Sequence, residues 1–197
     1  MRCGKCYIAK MLRIIAKCLL RLGGWTAVGE KPAVSKAVLI AAPHTSNWDG
    51  IWALIYKVSI GLDVHFFSKQ SLFWFPLSTL LRWLGGIPLN RSEPGSAVRQ
   101  AVDAFNENDE FYLALAPEGT RSLRSHWKSG FYRIAMEANV PVVLGFFDYR
   151  RKRIGVGPII ELSGDRGADL ATMQEFYGTK FARWPEKASP IVFKNPL

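Results

Sequence analysis

Cysteine is nearly absent: Cys3, Cys6 and Cys18 are the only three, and all fall in the first eighteen residues of a 197-residue chain. Three cysteines cannot build a disulfide framework, so the chain reads as a reduced, intracellular protein. Cys3-Gly4-Lys5-Cys6 has half the spacing of a zinc knuckle. No second Cys/His pair follows at ligand spacing, and neither a metal nor another cofactor is expected. Acidic residues are scarce as well, 16 against 26 Lys and Arg, and none occurs before Glu30. Long apolar runs are also missing. Residues 72–89 come nearest, but Arg82, Pro76 and Pro88 interrupt them. They fall short of the roughly 18 unbroken apolar residues of a spanning helix, so no transmembrane helix is expected. There is no internal repeat, low-complexity tract or linker.

What remains is a chain that is 49% hydrophobic and 13% aromatic, which excludes intrinsic disorder. Its length suits one domain, and folding would bury about 70% of the unfolded surface, ample for a core without staples. The net charge of +10 favours an anionic partner: nucleic acid, an anionic membrane or a phosphorylated substrate. The run Arg150-Arg151-Lys152-Arg153 fits any of these, and equally a solvated hairpin. No nucleic-acid motif accompanies it, so no nucleic-acid partner is expected.

The N-terminus favours the membrane. Lys10, Arg13, Lys17 and Arg21 recur every three or four residues, within an arc of about 80° on a helix. Ile8, Met11, Leu12, Ile15, Cys18, Leu19 and Leu22 take the opposite side, and Gly23-Gly24 stop the helix. This pattern suits a helix lying in the bilayer interface. A packed helix with a solvated basic face is the plainer alternative. A signal peptide fits less well, because charges run through the apolar stretch. Residues 1–24 are therefore expected to form an amphipathic basic interfacial helix, and residues 25–197 the functional domain.

Beyond Gly24, short apolar runs alternate with helical windows. Strands are expected at residues 37–42, 64–67, 86–89, 111–116 and 140–147, with residues 154–160 pairing beside the last. Helices are expected at residues 48–60, 72–84, 96–105, 131–138 and 168–182. This alternation predicts a single α/β domain with a largely parallel central sheet flanked by helices. In such sheets ligands sit beyond the carboxyl ends of the strands.

The most reactive residues follow predicted strands. Pro43-His44-Thr45-Ser46-Asn47-Trp48-Asp49 comes after the first. On one helix, His44 and Asp49 would lie about 140° apart. They meet only if His44 sits in a turn and Asp49 in the first turn of the next helix, with Ser46 or Asn47 as N-cap. A carboxylate then orients one imidazole nitrogen and leaves the other as a base. Ser46 has no nucleophile elbow around it and no cysteine lies in the body of the chain. The base is therefore expected to act on a substrate hydroxyl directly. Pro117-Glu118-Gly119-Thr120-Arg121 follows another strand: Gly119 admits close backbone approach, Thr120 and Arg121 suit a phosphate, and Glu118 can orient that arginine or an acceptor hydroxyl. Arg91 follows a third strand, completing a possible cradle for a phosphate monoester.

At these residues the sequence resembles the membrane-associated glycerolipid acyltransferases typified by lysophosphatidate acyltransferase, over roughly residues 39–149. His44 and Asp49 match that family's His-x4-Asp motif, with Ser46 where serine is frequent. Residues 86–91 resemble its second block, whose arginine, here Arg91, is implicated in binding the acceptor phosphate. Glu118-Gly119-Thr120-Arg121 matches the third block, and Lys128 with Gly130 fits the stretch after it. Val140-Pro141-Val142-Val143 resembles the fourth, which places Pro141 and Val142 on the acyl-donor side. Pro43 stands where the family commonly has asparagine, and Leu144 where a second proline is frequent.

The resemblance implies an O-acyltransferase of phospholipid biosynthesis. It would move a fatty acyl group from a thioester, acyl-CoA or acyl carrier protein, to the hydroxyl of a lysolipid such as 1-acylglycerol-3-phosphate. His44 and Asp49 would be catalytic, and Arg91, Glu118, Gly119, Thr120 and Arg121 would bind substrate. The expected location is peripheral, on an anionic membrane surface at its cytoplasmic face. A different lipid acceptor, or a non-catalytic lipid-binding protein, is the alternative.

Overall fold

The strand Lys36–Ala42 has no polar face to turn outward, and the fold buries it on both sides. Val38, Ile40 and Ala42 point into one hydrophobic cluster, and Ala37 and Leu39 into another. A strand covered on both faces reads as a continuous apolar run, which is why alternation is lost here. The computed structural model describes residues 3–89 and 95–194, with side chains from Tyr7 onward. In chain order these form α1 (Cys3–Leu22), β1 (Thr26–Val28), β2 (Lys36–Ala42), α2 (Asn47–Ile60), β3 (Val64–Lys69), α3 (Leu77–Trp83), β4 (Gly86–Leu89), α4 (Ser96–Glu107), β5 (Phe111–Leu115), α5 (Gly130–Glu137), β6 (Val142–Asp148), β7 (Arg153–Ile160) and α6 (Arg166–Tyr177).

The strands make one sheet in the order β1-β7-β6-β2-β5-β3-β4. Every neighbouring pair is parallel except β6 and β7. Helices α4, α5 and α6 supply the core of one face, including Phe105, Phe131 and Met173. Leu20 of α1 and Tyr56 of α2 belong to the core of the other face. The expected α/β domain with a largely parallel sheet is therefore present. Because β2, β5 and β6 run parallel side by side, the loops that leave their carboxyl ends converge at one edge.

Three elements differ from expectation. The helix expected over residues 72–84 begins only at Leu77; Gln70–Leu72 is a single 3-10 turn, and Pro76 precedes the helix. Proline lacks an N–H and disfavours helix in the residue before it, so it suits a helix start rather than an interior. The last helix starts two residues early, where Asp165 accepts from the amides of Gly167 and Ala168, and ends at Tyr177 rather than residue 182. Gly178 stops it, and the following segment becomes a strap across the sheet edge. Strand β1 has only three residues, too few for any periodicity to register.

Helix α1 packs on α2, burying Ala16 and Leu20, and leaves Tyr7, Ile8, Met11, Ile14, Ile15, Leu19 and Leu22 exposed. One member of its basic stripe has an internal role. The Arg13 guanidinium lies directly over Gly61, the left-handed C-cap of α2, where the helix dipole favours a cation. Among the described residues, no helix is long and apolar enough to cross a membrane.

Candidate active site

β2 ends at Ala42, and the chain turns through Pro43 and His44 before Ser46 caps α2. The Ser46 side chain accepts from the amide of Trp48, while Asp49, at the third helical position, reaches back to accept from the amide of Ser46. Asp49 Oδ2 accepts from the amides of Thr45 and Ser46 at 2.9 Å each, and lies 3.2 Å from His44 Nδ1. Asp49 is 0% exposed. One carboxylate thus closes the helix start and orients the imidazole, which is the geometry the five-residue spacing requires. A carboxylate accepts, so Nδ1 carries the proton and Nε2 is left as the basic nitrogen. Among the described residues, His44 Nε2 makes no hydrogen bond.

The other oxygen of Asp49 has a partner the sequence did not reveal. The Tyr149 hydroxyl donates to Asp49 Oδ1 at 2.6 Å. Tyr149 follows β6, and burial together with Asp49 raises its pKa well above the usual phenol value. Against its ring sits Arg183 from the strap after α6, with its guanidinium 6.0 Å from the Tyr149 centroid and 5.7 Å from those of Trp48 and Trp184. The strap is pinned nearby, because Tyr149 donates its amide to Phe181 O at 2.8 Å and Trp184 donates its amide to Thr45 Oγ1 at 3.2 Å. Tyrosines after strands are common core residues, so nothing local distinguished Tyr149. A glycine at 178 followed by Pro185 was the available sign that the chain leaves the helix here.

Glu118 is brought to His44, but to its backbone. Glu118 Oε1 accepts the His44 amide at 2.7 Å, and the residue is 1% exposed. Burial raises its pKa, opposed by the His44 amide and ring and by the Ser189 amide. It therefore braces the loop rather than pairing with Arg121, which is exposed on the turn beyond. Gly119 has a positive φ of 65°, a backbone conformation that favours glycine, and the Lys128 side chain lies against it. Thr120 Oγ1 accepts from the Ser122 amide at 3.4 Å. Arg91 lies outside the described residues. Pro141 and Val142 are not brought to the site: Val142 opposes Val38, while Phe146 opposes Ala42 at the strand's end. Four residues of strand, about 13 Å, separate Val142 from the sheet edge that carries His44. Val142 is a buried core residue there.

A cavity of about 310 Å³ runs between α2 and the sheet, with His44 and Asp49 on its wall. The remaining lining is largely apolar and includes Leu39, Ala53, Phe66, Ala114, Phe147 and Val156. That volume lies at the lower end of the range of ligand pockets, about 300–1,000 Å³. Among the described residues, no group of three or more His, Cys, Asp or Glu is arranged to hold a metal ion.

The Acyltransferase family matches residues 26–143, more than half of the chain, and the chain belongs to it. His44, Asp49 and residues 118–121 fall inside that span; Tyr149 and Arg183 fall outside it. A 1-acyl-sn-glycerol-3-phosphate acyltransferase of Haemophilus influenzae is 29% identical over 126 residues, covering 58% of this chain and 48% of the relative. The chain thus spans about half the length of the curated relative it matches. Among solved structures, the 1-acyl-sn-glycerophosphate (LPA) acyltransferase PlsC from Thermotoga maritima superposes with a TM-score of 0.58 at 18% identity. The match covers 93% of this chain and 86% of that one, so the two share a fold.

Proposed function

We propose that this protein transfers a fatty acyl group from a thioester donor, acyl-CoA or acyl carrier protein, to the hydroxyl of a lysophospholipid acceptor, 1-acylglycerol-3-phosphate foremost. The observation that carries this reading is the His44–Asp49 pair, 3.2 Å apart, on the wall of an apolar cavity. His44 Nε2 takes the proton of the acceptor hydroxyl as the oxygen attacks the thioester carbonyl. The tetrahedral intermediate collapses, the carbon–sulfur bond breaks, and the leaving thiolate receives the proton from His44. Asp49 stabilises the imidazolium formed between the two steps. The apolar cavity offers a dry site for an acyl chain, and Arg121, with Arg91, offers charge to an acceptor phosphate.

The enzyme works from the surface of an anionic membrane. Supporting this are the exposed apolar residues of α1, beside Lys10, Lys17 and Arg21, and a second exposed group formed by Trp74, Phe75, Leu80 and Trp83. Apolar side chains flanked by cations suit the headgroup boundary of an anionic leaflet. A transfer assay with labelled acyl-CoA and acyl carrier protein against a panel of lyso-acceptors is the direct test. Label should move to 1-acylglycerol-3-phosphate and should stop moving in His44→Ala. Lipid binding without turnover on any acceptor would replace this reading with that of a lipid-binding protein.

A further inference from the structure

We propose that Tyr149, outside the residues matched by the family, extends the His44–Asp49 pair into a three-member chain and is a positioning residue for the catalytic imidazole, with Arg183 packed against its ring. The proposal rests on the acyl-transfer reading for its kinetic consequence, but not for its geometry.

Asp49 is fully buried, and a buried carboxylate needs a donor at each oxygen. The amides of Thr45 and Ser46 and the imidazole share Oδ2. Oδ1 has the Tyr149 hydroxyl, at 2.6 Å, a length typical of a strong bond to a charged acceptor. The Arg183 guanidinium lies over the Tyr149 ring, 6.0 Å from its centroid, and packs the ring in place. The phenol proton is directed towards Asp49, the acceptor at hydrogen-bond distance. Burial and the neighbouring carboxylate keep that proton on Tyr149, making it a constant donor. Trp25 meets the Tyr149 ring edge-on at 4.8 Å, and Trp48 and Trp184 flank the guanidinium, so both side chains are held in place.

The charged and titratable groups around this chain come from four places. They are Glu118 after β5, Lys57 of α2 on the cavity wall, Lys152 over the Tyr149 ring, and Arg183 of the strap. Among the described residues, only Tyr149 hydrogen-bonds Oδ1 of Asp49. Its hydroxyl fixes the plane of the carboxylate. Without it, the carboxylate is free to turn about its Cβ–Cγ bond, and Oδ2 is no longer held facing His44 Nδ1.

The test compares the unsubstituted protein with Tyr149→Phe, Arg183→Gln and the double variant. Tyr149→Phe keeps the ring and its packing and removes only the hydroxyl. It should lower kcat about threefold to tenfold, with KM for both substrates unchanged. Arg183→Gln should act in the same direction more weakly. The double variant should be no worse than Tyr149→Phe, because Arg183 acts only by holding Tyr149. With three histidines, nitrogen NMR can also read the imidazole tautomers without turnover, the His44 signals being assigned from His44→Gln. The share of neutral His44 protonated at Nδ1 should fall in Tyr149→Phe. An unchanged tautomer ratio together with an unchanged kcat overturns the proposal, and additive losses in the double variant overturn the part assigned to Arg183. If the unsubstituted protein transfers no acyl group, the acyl-transfer reading falls, and the His44 tautomer ratio still decides this one.

Discussion

Glu118 Oε1 accepts the backbone amide of His44 at 2.7 Å, across 74 residues of sequence. The loop after β5 thereby holds the loop after β2, and the carboxyl expected to bind substrate acts first as a brace for the His44 backbone. Glu118→Ala leaves a buried amide without an acceptor, which costs about 1–3 kcal/mol. A corresponding fall in the chemical-denaturation midpoint would support this, and wild-type stability would refute it.

Glu118→Gln keeps the acceptor and removes the titration. Burial raises the Glu118 pKa above its ordinary value of 4.5, so the folded protein binds more protons than the unfolded chain as pH rises through that interval. Stability then falls with rising pH from about 4.5 up to the folded-state value. Melting temperatures of the two proteins across this window should diverge, the glutamine variant losing less. Parallel curves would show that the carboxyl carries no such burial cost.

His44→Ala should lower kcat by about 10²–10⁴ while the fold persists, because the side chain makes its contact with Asp49 and supports no helix cap. Asp49→Asn should impair both turnover and stability. Asp49 closes the start of α2 through the amides of Thr45 and Ser46, besides contacting the His44 imidazole. Paired kinetics and thermal melts separate the two, and equal melting losses in both variants would contradict this division of roles.

Arg121→Lys preserves charge but loses the planar fork that binds two phosphate oxygens together. For a phosphorylated acceptor kcat/KM should fall about tenfold, and for a neutral lyso-acceptor much less. Equal losses on both acceptors would remove phosphate recognition from this residue.

The proposed membrane contact of α1 is tested without deleting the helix, whose Ala16 and Leu20 belong to the core. Ile8→Glu with Ile15→Glu changes only exposed positions. Each isoleucine contributes about 1.5–3 kcal/mol when fully buried, so partition onto anionic vesicles should weaken at least about tenfold in the double variant, with melting unchanged. Sedimentation equal to the unsubstituted protein at low and high salt would exclude α1 as the contact.

The sequence by itself determined the class of fold and the central pair. Continuous apolar runs are what doubly covered strands require, so β2 and β6 were legible. A histidine and an aspartate five apart, around a serine, can meet only across a turn and a helix cap, so that local geometry was legible too. The helix bounds at Pro76 and Gly178 were not read: the apolar windows there suggested longer helices than the ones that form. The tertiary structure decided the rest. Tyr149 reaches Asp49 across 100 residues, and Glu118 reaches His44 only because parallel β2 and β5 end at the same edge. It also carried Pro141 and Val142 away from the site, because a strand has two ends and a motif at its start lies a strand's length from the chemistry at its finish. Local chemistry is encoded by neighbours in the chain. Which oxygen of a buried carboxylate meets which distant hydroxyl is decided only when packing brings separate elements to one place.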